Sequence, residues 1–75
     1  MAKAYVLIST SPGSEEEVLR DLEAIPEVKK TYTVDGVYDI VVHLDAGTME
    51  ELENAVSTKI AGIEEFRSSM TLVIR

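Results

Sequence analysis

The sequence predicts one α+β domain whose strands and helices follow the order βαββαβ. Three observations support this prediction. Four segments have a strand-like apolar pattern, two segments repeat apolar residues at helical spacing after a helix-capping sequence, and turn residues separate them. A chain of 75 residues, 45% of them hydrophobic, is long enough for one core only, so we expect a single domain over residues 1–75.

The first strand is predicted at residues 4–9, where a short β-branched and apolar run ends at the turn residues 10–14. The first helix is expected to begin at Ser14, because Ser14 and Glu17 match a capping box with acidic residues at the positive end of the helix dipole. It should end near Ala24, since Pro26 disfavours the helical conformation in the residue before it.

A hairpin is predicted next, with strands at residues 28–34 and 38–44 joined by a tight turn at Asp35 and Gly36. A second capping box, from Thr48 to Glu51, starts a helix over roughly residues 48–61, and Gly62 is expected to end it with a positive φ. The last strand is predicted at residues 66–74.

Two crossover helices and a central hairpin give the ferredoxin-like arrangement, an antiparallel sheet with both helices on one face. Strand alternation predicts one set of residues under the helices: Val6, Ile8, Ile40, Val42, Leu72 and Ile74. It sends another set outward: Tyr5, Leu7, Thr31, Thr33, Val41, Thr71 and Val73. Because the outward set is too apolar for water, we expect a sheet-to-sheet homodimer whose interface includes Tyr5, Leu7, Val41 and Val73.

The composition disfavours several classes of partner. Seven Lys and Arg are scattered among fourteen Asp and Glu, for a net charge of -7, so we expect no direct nucleic-acid binding and no attraction to anionic membranes. The absence of cysteine and the single histidine argue against a structural zinc site, and we predict neither metal nor cofactor. No membrane span or signal region is recognisable, which predicts a cytoplasmic protein.

Two stretches have polar residues that the predicted elements do not require. In the first, Asp39 at a strand start is a plausible acceptor for an ammonium group, and Gly36 would let a ligand approach the backbone. In the second, Ser68, Ser69 and Thr71 interrupt the last strand with hydroxyls, which need hydrogen-bond partners in a second subunit or a polar ligand. The alternative for the first stretch is an ordinary hairpin without a ligand. The alternative for the second stretch is an edge strand whose hydroxyls are solvated.

Together these segments resemble the effector-binding (RAM) domain of the Lrp/AsnC family of transcriptional regulators over nearly all 75 residues. The resemblance rests on five stretches: the opening strand (residues 4–9), Ile-Pro-Glu-Val (25–28), Gly-Val-Tyr-Asp-Ile (36–40), the second helix (52–60) and Ser-Ser-Met-Thr-Leu-Val-Ile (68–74). The glycine-x-aromatic-aspartate element followed by a hydroxyl-rich last strand is its most specific part.

The resemblance implies a ferredoxin-like domain that dimerises through its sheet and assembles further, into an octamer or decamer, with amino acids bound between dimers. It implies a ligand site in which Gly36, Val37 and Tyr38 supply backbone groups and a wall, Asp39 a polar anchor, and Ser68, Ser69 and Thr71 hydroxyls. Regulators of the family have an N-terminal helix-turn-helix domain, whereas here the first strand begins close to Met1. We therefore expect a stand-alone form that acts through co-assembly with a full-length regulator.

Two other functions are compatible with this fold. A small dimeric α+β barrel enzyme of the monooxygenase type would have His43 as its only obvious catalytic candidate, although a lone histidine is more often a packing or solvent-contacting residue. A purely structural oligomerisation domain would bind no ligand. We expect no enzymatic activity.

Overall fold

The computed structural model describes all 75 residues and confirms the predicted α+β, ferredoxin-like order of elements. Four strands form one antiparallel sheet in the order β2-β3-β1-β4. The elements are β1 (Ala2–Thr10), α1 (Glu15–Glu23), β2 (Val28–Thr33), β3 (Ile40–Ala46), α2 (Met49–Asn54) and β4 (Phe66–Ile74). A π-helical segment, Ala55–Ile60, continues α2.

The core lies between one face of the two central strands and the helices. Alternate residues of β1 and β3 are buried, as the predicted alternation requires, and they share one apolar cluster with residues of both helices. The fully buried side chains of this cluster include Val6, Ile8, Val18, Leu22, Ile40, Val42, Leu44, Leu52 and Ile60. The opposite face of the sheet has no helix on it.

The predicted alternation of β4 is wrong by one residue. Tyr5 lies opposite Leu72 and Ala4 lies opposite Val73. Because residues opposite each other in an antiparallel pair share a face, Thr71 and Val73 lie on the helix side, and Leu72 and Ile74 lie on the open side. The pattern was ambiguous because β4 is an edge strand that no helix covers, and residues 67–74 are exposed on both faces.

The predicted outward residues of β2 are wrong for a different reason. Thr31 lies opposite Val42 and Thr33 opposite Ile40, both on the helix side. The register shifts between Val28 and Lys30, and such a bulge exchanges the two faces of a strand, so that Tyr32 faces outward. We use the name open sheet face for the side without helices, whose apolar and aromatic residues are Tyr5, Leu7, Tyr32, Val41, His43, Met70, Leu72 and Ile74.

Of the two predicted caps, only one forms. The Thr48 hydroxyl accepts a hydrogen bond from the Glu51 N–H at 3.1 Å, whereas the Ser14 side chain makes no capping bond. The second helix ends in π geometry, with the Ala61 N–H donating to the Val56 carbonyl at 3.2 Å.

Gly62 does not have the predicted positive φ. A Cβ at this position would lie 2.9 Å from the Thr58 carbonyl oxygen, so close backbone approach favours glycine there.

The hairpin connection is longer than the predicted two-residue turn. β2 ends at Thr33 and β3 begins at Ile40, and the Val34 N–H donates to the Asp39 carbonyl at 2.9 Å to close the loop. Gly36 has a φ of 152°, a conformation that favours glycine. Neither helix of the chain has the length and apolar character needed to cross a membrane.

Candidate functional site

The two predicted halves of the ligand site lie at the same end of the sheet, on opposite sides of β1. Ile8 pairs with Ile40 in β3 and with Ser69 in β4. The hairpin loop therefore precedes the strand on one side of β1, and the hydroxyl-rich segment forms the strand on the other. With one strand between them, the backbones of β3 and β4 are separated by roughly 10 Å.

Asp39 fixes the hairpin loop to the end of β1. Its Oδ2 accepts a hydrogen bond from the Thr10 N–H at 2.9 Å, and its own N–H donates to the Ile8 carbonyl at 2.9 Å. Because pairing of β1 with β3 ends at Ile8 and Ile40, the carboxylate supplies an acceptor for Thr10, a residue only 5% exposed. Oδ1 makes no hydrogen bond within the chain, since both contacts of the carboxylate with Thr10 use Oδ2.

A shallow depression of about 200 Å³ lies beside Asp39. Its lining residues are Glu15, Thr33, Val34, Asp35 and Asp39. Three carboxylates and no cationic side chain make the depression attractive to an ammonium group. The carboxylates do not converge closely enough to form a group that could hold a metal ion.

The loop residues Gly36, Val37 and Tyr38 form a projecting tip. Val37 is 87% exposed, Gly36 is also exposed and Tyr38 is half-buried. They do not line the depression beside Asp39. An apolar side chain held this far into solvent can contact a ligand or a second subunit, but contacts little of its own chain.

The three predicted hydroxyls of β4 are divided between the two faces of the sheet. Ser68 lies opposite Ser9 on the open side, whereas Ser69 and Thr71 lie opposite Ile8 and Val6 on the helix side. All three are exposed, and none makes a side-chain hydrogen bond within the chain. The structure thus places Ser69 and Thr71 together and separates Ser68 from them.

Sequence reasoning missed half of the open sheet face. Tyr32, Met70, Leu72 and Ile74 are between 45% and 50% exposed and lie on the same side as the predicted Tyr5, Leu7 and Val41. Met70 and Leu72 alternate with the smaller or polar Ser69 and Thr71, so the sequence pattern does separate the two faces of β4. It does not say which face lies towards the helices, and only the register of β4 with β1 decides this.

A larger depression of about 500 Å³ lies between α1 and the segment before β4, away from every predicted site residue. Desolvation, and then the neighbouring Glu17 carboxylate, raise the pKa of Glu65 at its edge. Nearby, the Lys59 ammonium lies 2.9 Å from a Glu27 oxygen, and this hydrogen bond lowers the pKa of Glu27. The remaining lining residues are Asp21, Ala24, Ile25, Gly62, Ile63 and Glu64.

Comparison with known proteins gives a consistent result. A family model described as the Lrp/AsnC ligand binding domain matches residues 3–74. The regulatory protein AsnC of Haemophilus influenzae is 34% identical over 67 residues, which are 89% of this chain and 45% of that protein. An uncharacterized HTH-type transcriptional regulator of Pyrococcus abyssi is 30% identical over 71 residues, 95% of this chain and 45% of that protein. The chain spans about half the length of these curated relatives.

Solved structures show the same fold. The crystal structure of FFRP-DM1 is 35% identical, with a TM-score of 0.95 and coverage of 100% of both chains. Escherichia coli AsnC is 26% identical, with a TM-score of 0.90, over 97% of this chain and 50% of that chain. A transcriptional regulator of Neisseria meningitidis, solved in complex with L-Met, has a TM-score of 0.87 over 99% of this chain and 49% of that chain. Its sequence identity is 13%, so this similarity shows the fold alone.

Proposed function

Because this chain belongs to the Lrp/AsnC ligand-binding domain family, we propose that it is an oligomeric amino-acid sensor that modulates transcription by co-assembling with full-length regulators. The observation that carries the proposal is the family match over residues 3–74. FFRP-DM1, which is 35% identical and which this chain covers completely, supports the same fold for the sensor domain. The curated relatives are transcriptional regulators, which points away from an enzyme.

The ligand site we propose is completed by a second subunit. Asp39 Oδ1 and the acidic depression are suited to an ammonium group, and the Ser69 and Thr71 hydroxyls can donate to a carboxylate. The two ends of an amino acid lie within about 4 Å of each other, so one molecule cannot reach both groups across β1. Val37 and Tyr38 at the projecting loop tip, with Gly36 and Ser68 beside the two groups, would close the cleft between subunits.

The dimer we propose forms through the open sheet face. Two sheets pack stably at about 10 Å when each presents an apolar face, and here the other face is already covered by helices. The net charge of -7 does not oppose a second copy of this chain at this face, because few of the charged residues lie on it. The charged residues paired across the strands on this side are only Lys3, Lys30 and Asp45, so two acidic molecules can approach here with little repulsion.

The enzymatic alternative has no geometric support at His43. Its ring stacks on Tyr5, with centroids 5.0 Å apart, and it has no carboxylate hydrogen-bond partner that would orient an imidazole base.

Calorimetric titration with the free amino acids tests the sensing proposal and identifies the effector. L-Met is a reasonable first ligand, since it is bound in the Neisseria meningitidis regulator. Asp39→Asn retains an oxygen for the Thr10 N–H but removes the charge, so we expect at least about tenfold weaker binding, the loss typical of a hydrogen bond to a charged group.

The matched control is Glu16→Gln, which removes an exposed carboxylate outside the depression and should bind as wild type does. If no amino acid binds at millimolar concentration while the oligomer is intact, the structural-module alternative replaces the sensor.

A further inference from the structure

Asp35 and Gly36 lie in the loop between β2 and β3, and this is the only place in the chain where glycine follows an aspartate or an asparagine. Both residues are exposed. The Val34 N–H donates to the Asp39 carbonyl at the base of the loop, but residues 35–38 neither donate nor accept a backbone hydrogen bond. The segment is therefore held only at its two ends, and no backbone hydrogen bond fixes the ψ angle of Asp35.

Nothing in the fold shields the Asp35 carboxyl from the backbone nitrogen of Gly36. The carboxylate makes no side-chain hydrogen bond and no ion pair. Gly36 has no side chain, and the position where a Cβ would lie has no atom within 4 Å outside its two chain neighbours. The carbonyl carbon of the side chain and the nitrogen of the next residue can therefore approach each other without displacing another residue.

We propose that Asp35 isomerises spontaneously to isoaspartate, so that the loop beside the candidate site is modified as the protein ages. The Gly36 nitrogen attacks Cγ of the protonated Asp35 carboxyl and closes a succinimide ring. The carboxyl O–H leaves with the proton of the Gly36 N–H as one water molecule. A second water then adds to the main-chain carbonyl carbon of Asp35 and breaks its bond to nitrogen. The product has the same composition and charge, but its main chain runs through Cβ and Cγ.

The other aspartates of the chain lie where this reaction is hindered. Asp39 is close by, but its Oδ2 accepts a hydrogen bond from the Thr10 N–H, and the next residue, Ile40, is buried and paired in β3. Asp21 lies within α1 and Asp45 within β3, where helix and sheet hydrogen bonds fix the backbone. We therefore expect isomerisation to be confined to the exposed loop.

Isomerisation would alter the proposed ligand site, and this consequence rests on the proposed function. Asp35 and Asp39 both line the acidic depression of about 200 Å³. An isoaspartate adds a methylene to the main chain just before the projecting tip of residues 36–38, and it moves the carboxylate that would face an ammonium group. Because Asp35 is exposed and lies outside the core, we expect loss of ligand binding without loss of the fold.

Incubation of the full chain in neutral heavy-oxygen water for several weeks, followed by digestion in ordinary water and mass spectrometry, tests the inference. Opening of the succinimide incorporates one oxygen atom from water, so we expect the wild type to gain one heavy oxygen at position 35. Fragmentation of the peptide distinguishes this position from Asp39. The matched variant Asp35→Glu retains the charge but would have to close a larger ring, which forms much more slowly, so we expect no uptake there.

Two results would overturn the inference. One is a folded wild type that gains no heavy oxygen at Asp35 while a synthetic peptide of residues 31–40 does, because the loop would then hold the nitrogen away from the carboxyl. The other is equal uptake at Asp39, because the exposed and unbonded loop would then not decide the site.

Calorimetric titration of fresh and aged protein with L-Met and the other free amino acids tests the consequence for binding. The number of ligands bound per chain should fall by the isomerised fraction in the aged wild type, whereas aged Asp35→Glu should match its own fresh sample. Unchanged binding by isomerised protein overturns the consequence and leaves the sensor proposal intact. If fresh wild type binds no amino acid, the proposed function fails, and heavy-oxygen uptake still decides the isomerisation.

Discussion

The two central strands and the edge strand β4 differ in how much of each is covered. In β1 and β3 every second side chain is buried beneath the helices, whereas nearly all of β4 is exposed on both faces. The central strands thus provide the core, and β4 provides surface, including three of the eight apolar and aromatic residues of the open sheet face and the three hydroxyls of the proposed ligand site. We therefore expect β4 to contribute to assembly and little to the stability of the single chain, whereas the central strands contribute to both, and matched substitutions can test this.

The largest expected change in the free energy of unfolding comes from truncating an isoleucine in a central strand, compared with truncating an isoleucine in β4. Ile8 is fully buried in β1, and Ile74 in β4 is 45% exposed. We expect Ile8→Ala to lower the free energy of unfolding by about 2 to 5 kcal/mol, the range for a buried cavity, and Ile74→Ala by less than about 1 kcal/mol. Urea denaturation of dilute protein measures both.

Since a domain this small is marginally stable, Ile8→Ala could be unfolded in water. Ile8→Val, expected to cost about 1 kcal/mol, keeps the comparison measurable. Equal losses for Ile8→Val and Ile74→Val would contradict the division between the strands.

Two residues flank the end of β1, Asp39 on the β3 side and Ser69 on the β4 side, and we expect an intermediate loss of stability from substitution of the first only. Asp39→Ala removes the acceptor of the buried Thr10 N–H and should destabilise the fold by about 1 to 3 kcal/mol. Ser69→Ala, on the β4 side of Ile8, removes a hydroxyl that has no partner in the chain and should cost less than about 0.5 kcal/mol. Thermal unfolding at matched concentration distinguishes them, and a larger loss for Ser69→Ala would be inconsistent with the assigned hydrogen bonds.

The smallest effect concerns Glu65, in the segment that leads into β4. Its pKa is raised in the folded chain by desolvation and by Glu17, so the folded state binds this proton more readily than the unfolded state does. The ionised carboxylate therefore disfavours folding slightly at neutral pH, and this penalty decreases as the pH falls towards 4.5, the ordinary value.

Glu65→Gln should accordingly be slightly more stable than the wild type at neutral pH, with a difference that shrinks in acid. Unfolding curves at several pH values check this. A difference that grows as the pH falls would mean that the sign is wrong.

The sequence was sufficient to predict the order of elements, the helix bounds and the core of the central strands. In β3 the buried Ile40, Val42 and Leu44 alternate with the less apolar Val41, His43 and Asp45, so the period-two pattern identifies the buried face, and pairing with β3 sets the same face in β1. In β4 both faces are exposed, and Leu72 and Val73 are equally apolar, so only the register with β1 decides which one faces outward. In β2 the bulge between Val28 and Lys30 exchanges the faces, and nothing in the local pattern marks it.

The sequence predicted which segments form the candidate site, but not how their side chains are arranged or which hydrogen bonds they make. The hydrogen bond from Thr10 to Asp39 joins residues 29 positions apart, which no local motif reveals. Capping also depends on backbone conformation. Thr48 is extended, with φ -137° and ψ 161°, and its side chain caps the helix, whereas Ser14, with φ -105° and ψ 7°, is not extended and forms no cap.

The central claim is that the protein assembles through the open sheet face. It is tested most directly by the oligomeric states of two variants in which a carboxylate replaces one of two neighbouring residues of β4. Leu72 and Val73 are adjacent and similarly exposed, at 50% and 42%, but lie on opposite faces of β4. Light scattering coupled to size-exclusion chromatography should show a monomer for Leu72→Glu, because a buried carboxylate opposes the interface. It should show a dimer or larger assembly for the wild type and for Val73→Glu. Dissociation by Val73→Glu with an intact assembly for Leu72→Glu, or a monomeric wild type, would contradict the account.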